Sequence, residues 1–214
     1  MDRPATLEIK DVTVQLNGQT ILHDFSLGLE AGQKALLTGP SGCGKSTVLR
    51  CLLGFVVPQA GSVHIAGQAL TAESVWTLRR RIAYVGQEPD LGAGIVRDIL
   101  ERPFHYRANT ALRGNLARVS ELFDAFGLAR SLLDKDAGDL SGGEKQRVAL
   151  VSALLLDRNI FLLDEVTSAL DPASKRKVIE CFRSHTDTTM LFVAHDAESF
   201  PFADSVIEMQ GGTA

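Results

Sequence analysis

Long hydrophobic runs, paired cysteines and concentrated basic charge are all scarce in this chain, and each scarcity excludes something. The longest apolar stretch, Val148 to Leu156, is about half of what a bilayer crossing needs, and Asp157 closes it. No segment is expected to span a membrane. The three cysteines, Cys43, Cys51 and Cys181, show neither a paired framework nor metal-ligand spacing, which fits a reducing compartment. The opening MDRPATLEIK lacks the apolar core and small-residue cleavage site of a secretory leader, so a cytoplasmic location is expected. Basic residues form no run longer than three, the cluster at Arg79 to Arg81 is read as a solvated helix end, and the formal net charge is -4. No nucleic-acid partner is expected from such a balance. Aromatics are 6% of the chain, and the single tryptophan, Trp76, is read as core or surface packing.

With 214 residues and 45% hydrophobic content, the chain can bury one sizeable core, divided into two lobes at most. Its first third reads as β: Leu7 to Leu16, Thr20 to Leu29 and Ser62 to Gly67, with Asn17-Gly18 as a hairpin turn. From about Glu88 to Ala137 the pattern turns helical, as in Leu112 to Phe126. Strand-like runs resume at Ile160 to Leu163, Thr189 to Ala194 and Asp204 to Met209. Strands separated by helices predict an α/β fold with a parallel sheet, carrying an N-terminal antiparallel β region and an inserted helical subdomain at about 88–157. The whole of 1–214 is therefore read as one domain.

Two segments are built to handle phosphate. Residues 39–46, GPSGCGKS, fit GxxxxGK[ST], in which a glycine-rich loop between strand and helix turns backbone N–H groups around an anion. From average residue usage the four fixed positions coincide by chance in well under about 1% of chains this long. Lys34 to Thr38 is a plausible strand leading in, and Thr47 to Leu53 a helix leading out. Gly39, Pro40, Ser41, Gly42, Cys43, Gly44, Lys45, Ser46 and Thr47 form the expected nucleotide cradle. Lys45 offers a point charge to the β- and γ-phosphates, and Ser46 a hydroxyl ligand for Mg²⁺. The competing reading is a glycine-rich turn that binds nothing.

The second segment is LSGGEKQR, Leu140 to Arg147. Ser141 can cap a helix running from Gly142 to about Leu156, leaving free N–H groups and a dipole end beside Gly142 and Gly143. Taken alone, it reads rather as an ordinary capped helix with a glycine-containing start. Between this helix and the C-terminus, NIFLLDE (Asn159 to Glu165) is an apolar strand ending in two carboxylates. Asp164 can anchor the metal opposite Ser46, and Glu165 can orient and deprotonate an attacking water. Asp171-Pro172 then suits the cap and first position of a helix to about Arg183.

The ordered set GPSGCGKST (39–47), Gln87 within YVGQEP, LSGGEKQR (140–147), FLLDE (161–165), SALD (168–171) and His195 after LFVA resembles the ATP-binding subunits of ABC transporters over essentially the whole chain. The resemblance implies an ABC-type P-loop ATPase using ATP and Mg²⁺. It implies that Gln87 touches Mg²⁺ and links the site to a membrane partner, whose coupling helix docks in a groove nearby. Asp171 then belongs to a loop at a dimer interface, and His195 contacts the γ-phosphate and positions water. One subunit's Ser141 to Gly143 completes the other's P-loop, so that two ATP molecules are sandwiched in a homodimer. A separate transmembrane permease subunit is implied, with membrane association through it alone, on the inner face of the cell membrane.

Two positions depart from the family pattern. Leu16 stands where an aromatic residue commonly stacks on adenine, so weak base discrimination is expected. Glu144 stands where glutamine is most frequent. The length and wording of the motifs look most like the stand-alone ATPases of bacterial iron-export systems. Two other classes stay open at this point: a soluble ABC-type ATPase acting in DNA repair or translation, and an ordinary P-loop kinase or GTPase. The first usually carries a coiled-coil insertion or two cassettes, and the second leaves LSGGEKQR and His195 unexplained.

Overall fold

The computed structural model describes residues 6–210; part of the N-terminal stretch read above for a leader lies outside them. The described residues divide into two units, one made of 6–82, 159–165 and 187–210, the other of 83–158 and 166–186.

The first unit holds two sheets. Strands β1 (Leu7–Leu16), β2 (Gln19–Leu29), β4 (Ala60–Ile65) and β5 (Gln68–Ala69) form an antiparallel sheet in the order β2-β1-β4-β5. Asn17 and Gly18 turn β1 into β2 with φ of 51° and 79°, as a tight primed hairpin turn requires. Strands β3 (Lys34–Thr38), β7 (Ile160–Asp164), β8 (Thr189–Val193) and β9 (Ser205–Glu208) run parallel, with β8 between β7 and β3, and β3 between β8 and β9. Every residue of β3, β7 and β8 is buried. That is why these strands read as continuous apolar runs, whereas β1 alternates. Helix α1 (Lys45–Leu52) touches both β4 and β7. Its Val48, Leu49, Cys51 and Leu52 join a core with residues of both sheets. A short helix, α2 (Val75–Arg79), precedes β6 (Ile82–Val85), a strand whose four residues are too few to stand out in the sequence.

The second unit is helical. Its α-helices are α3 (Val96–Glu101), α4 (Val119–Phe126), α5 (Gly142–Leu155) and α6 (Pro172–Ser184). The stretch Leu112 to Phe126, expected to be helical throughout, is α-helical only from Val119; residues Arg107–Arg118 wind as a tighter 3₁₀ segment. Its polar side chains explain the difference. Asn109 donates to the Pro103 carbonyl at 2.9 Å and Asn115 to the Leu155 carbonyl at 2.9 Å, so tertiary bonds fix a segment whose Gly114 and asparagines favour no α-helix. Among the described residues no helix is long and apolar enough to cross a membrane.

Candidate functional site

Strand ends assemble the first half of the site. The parallel strands β3, β7 and β8 all finish at one edge, which is where open α/β sheets present ligand sites. The Ala194 N–H donates to the Leu37 carbonyl at 3.2 Å, and the Thr38 hydroxyl donates to the His195 carbonyl at 3.2 Å, so the loop after β8 is tied to the entrance of residues 39–46. That loop needs its glycines. Gly39 has φ 145°, and a Cβ there would stand 2.4 Å from the Met209 carbonyl oxygen. Gly44 precedes α1 at φ 105°, a left-handed cap that a side chain would strain.

Lys45 is 6% exposed and folds back on its own loop, donating to the carbonyls of Gly39 at 2.7 Å and Pro40 at 3.0 Å. Its third partner is the Cys43 sulfur at 4.0 Å, and a buried ammonium held by such neutral groups is a strong receptor for an anion. Cys43, 4% exposed, lines an open cleft of about 490 Å³ together with Thr20, Ile21, His23 and Met209. Leu16, at the end of β1, is exposed beside the hairpin turn.

The two carboxylates of β7 differ in setting. Asp164 is buried and accepts a hydrogen bond from the Ser46 hydroxyl at 3.4 Å. Burial first, and then the charge of Glu165, push its carboxyl above the usual range, against the hydrogen bond from Ser46 and the charge of Lys45. A hydroxyl and a destabilised carboxylate side by side fit a hard divalent cation such as Mg²⁺. Among the described residues no group of three or more His, Cys, Asp and Glu side chains forms a metal cage. Such a pair suits a cation whose remaining ligands are phosphate oxygens and water.

Glu165 takes a left-handed backbone, φ 49°, while its N–H donates to the Val193 carbonyl at 3.0 Å. This conformation costs on the order of 1 kcal/mol in a residue with a side chain. Its consequence is orientation. The Glu165 side chain, 10% exposed, meets His195 Nε2 at 3.0 Å, although the two are separated by a whole β-α-β crossover.

The second unit carries Gln87, Ser141, Gly142, Gly143 and Asp171. Gln87 is exposed. Ser141 caps α5 in a full capping box: its hydroxyl accepts from the Glu144 N–H at 3.3 Å, and its own N–H donates to Glu144 Oε2 at 2.8 Å. The Ser141 N–H first, and then its hydroxyl, which donates to the same Oε2 at 2.8 Å, hold the Glu144 carboxyl below its ordinary range, so the residue that departs from the family pattern completes the cap. The N–H groups of Gly142 and Gly143 have no acceptor within the helix. Asp171 caps α6, accepting from the Ala173 and Ser174 N–H groups at 2.9 and 3.0 Å. The Ser174 side chain first, then these N–H groups, pull its carboxyl down to about 2.

Gln146 and Arg147, near the end of LSGGEKQR, make contacts that the sequence did not announce. Gln146, 1% exposed, donates to the Gly86 carbonyl at 3.2 Å, next to Gln87. Arg147 bonds to Gly143, Phe126 and Ser174. Their position in a motif was visible, but their partners 60 and 27 residues away were not.

A glycine-rich loop between a buried strand and a helix, a buried lysine inside it, and an acidic strand end opposite define a P-loop nucleotide-binding protein. Residues 22–168 match the ABC transporter family model, and the chain belongs to that family. It is 33% identical over 207 residues to the probable iron export ATP-binding protein FetA of Escherichia coli (strain K12), covering 95% of this chain and 91% of that one. It is 35% identical over 222 residues to the Fe(3+) ions import ATP-binding protein FbpC 2 of Rhodococcus jostii (strain RHA1), of which it spans 60%. Among solved structures, the dimeric bacterial ABC transporter cassette MJ0796 superposes with a TM-score of 0.83 at 26% identity, covering 96% of this chain and 95% of that one. A dimeric post-hydrolysis state of the same cassette, bound to ADP and Pi, superposes with a TM-score of 0.80 at 25% identity, covering 97% of each chain. The chain is thus an ABC-type ATPase subunit that binds ATP, with the α/β architecture of a cassette.

Proposed function

We propose that the whole chain works as a single cassette in which ATP closes a homodimer, and that closure and reopening drive export of a metal ion, iron, through a separate transmembrane subunit. The observation that carries this reading is the separation of the phosphate chemistry into two places. Lys45, Ser46, Asp164, Glu165 and His195 gather in the first unit, while the capped N-terminus of α5 belongs to the second.

In this reading the loop N–H groups and Lys45 take the β- and γ-phosphates, Lys45 exchanging its two carbonyls for phosphate oxygens. Ser46, Asp164 and Gln87 would hold Mg²⁺, and the ion when bound would neutralise charge on the phosphates. Glu165 accepts the proton of the attacking water, and His195, already hydrogen-bonded to it, fixes that carboxylate and faces the γ-phosphate. Ser141, Gly142 and Gly143 of the partner copy donate to the same γ-phosphate, and Asp171 lies at the seam. The triphosphate binds the closed dimer better than the open one, and hydrolysis removes that difference.

An exposed aromatic cluster on the first unit supports docking of the membrane subunit there, apart from the groove near Gln87 expected from the resemblance. Phe55 and Trp76 are 65% and 73% exposed, and the Arg79 guanidinium stacks 4.2 and 5.2 Å from their ring centroids while its Nε donates to the Leu53 carbonyl. A pinned arginine between exposed aromatics, with Val57 beside Phe55 in sequence, has the composition of a protein-binding hot spot. The expected solvated end at Arg79 is thus partly a stacked one.

The export reading is supported by FetA, matched over nearly the full length of both chains. The test is reconstitution with the transmembrane protein that copurifies with this chain. ATP-dependent movement of iron from the ATP side to the far side is expected, and movement of iron only toward the ATP side, or none with other solutes carried instead, rejects iron export.

A further inference from the structure

We infer that Arg147 is a positioning residue that makes the N-terminal ends of α5 and α6 one rigid clamp. The inference rests on the proposed role of these two ends in completing the partner's site. Arg147 sits one helical turn after Gly143 and donates through Nε to the Gly143 carbonyl at 3.2 Å. Its Nη1 reaches the Ser174 hydroxyl at 2.5 Å and the Phe126 carbonyl, at the C-terminal end of α4, at 3.4 Å. Ser174 is 6% exposed, and its side chain and N–H both bond to the Asp171 carboxylate. A hydroxyl has one proton, so Ser174 accepts from the guanidinium and donates to Asp171. The relay therefore runs from the Gly143 carbonyl through Arg147 and Ser174 to Asp171.

Backbone proximity agrees with it. A Cβ on Gly143 would stand 3.5 Å from the Ala169 carbonyl oxygen and from Leu170, in the loop leading to Asp171. The planar fork satisfies three acceptors on three chain segments at once, which a lysine ammonium on a flexible stem does less rigidly. The clamp touches none of the groups that hold ATP within one chain, so its loss should spare binding and impair closure.

The test uses the full chain in a Glu165→Gln background. Arg147→Ala should leave ATP binding by single chains within about threefold, and weaken the ATP-dependent dimer at least about tenfold. Arg147→Lys should recover part of the loss. Ser174→Ala should weaken the dimer by itself, and adding it to Arg147→Ala should change little, because both cut one relay. Hydrogen exchange of the Ala173 and Ser174 amides should quicken in Arg147→Ala even without nucleotide. Unchanged exchange there, a dimer as strong as the parent's, or effects of the two substitutions that multiply, would each overturn the inference. Should Arg147→Ala fail to fold, Ser174→Ala and Arg147→Lys carry the test, and parental dimer strength in both rejects the clamp. If the Glu165→Gln parent itself does not dimerise with ATP, the proposed function fails, and amide exchange at α6 still decides the relay.

Discussion

The first unit and the second present phosphate-binding backbone in contrasting states. At α1 the helix start is buried under its own loop, with a left-handed glycine before it and a lysine turned inward. At α5 the start is exposed, with a serine cap and a glutamate that answers it. An enclosed cradle can grip an anion by itself, whereas an open helix end reached by two or three N–H groups needs something else to bring the anion to it. The difference favours the proposal that the first binds by itself and the second acts on nucleotide held by another copy.

The comparison breaks first, and hardest, under substitution. Lys45→Ala is expected to cost at least about 100-fold in ATP affinity, roughly 2.7 kcal/mol, by equilibrium titration. Glu165→Gln should keep that affinity while turnover falls by about 10²-fold or more, and should trap a dimer with ATP visible by light scattering. A Cβ at Gly143 makes only ordinary contact with the neighbouring loop, and circular dichroism of Gly143→Asp should match the parent's. The variant should bind ATP within about threefold of the parent yet lose at least about 100-fold in turnover, because a carboxylate repels the γ-phosphate. Equal loss of binding in Lys45→Ala and Gly143→Asp would erase the distinction between the units.

Thiol chemistry separates the cysteines next. Burial pushes the Cys51 and Cys181 thiols up to about 11, leaving roughly one thiolate in a thousand at pH 8. Cys43 lines the open cleft, so ATP is expected to protect it from maleimide, and its full labelling to block ATP binding. Unchanged ATP affinity after complete labelling of Cys43 would contradict the cradle. The smallest effect concerns the base. With Leu16 offering no ring, competition binding should find ATP and GTP within about tenfold, or 1.4 kcal/mol.

Legibility followed the range of the interactions. The hairpin at Asn17-Gly18, the caps at Ser141 and Asp171 and the P-loop are set by neighbours in sequence, and their residue types announce them. Strand-like runs separated by helices pointed to a parallel sheet, and the full burial of β3, β7 and β8 agrees with it. By contrast, spacing alone could not bring His195 to Glu165, nor show the left-handed backbone that aims Glu165. The family resemblance pointed to His195; nothing pointed to the strain. The 3₁₀ course of Arg107–Arg118 depends on Asn115 reaching Leu155, and the relay through Arg147 depends on α6 packing near α5's start. Such side chains carry no local signature, because their partners are chosen by the tertiary fold.

One measurement bears most directly on the claim that each copy completes the other's site: the rate of ATP hydrolysis as the concentration of the chain is lowered at saturating ATP. The account predicts that activity per chain falls with dilution and vanishes once light scattering shows only single chains. Constant activity per chain, down to full dissociation, would contradict it.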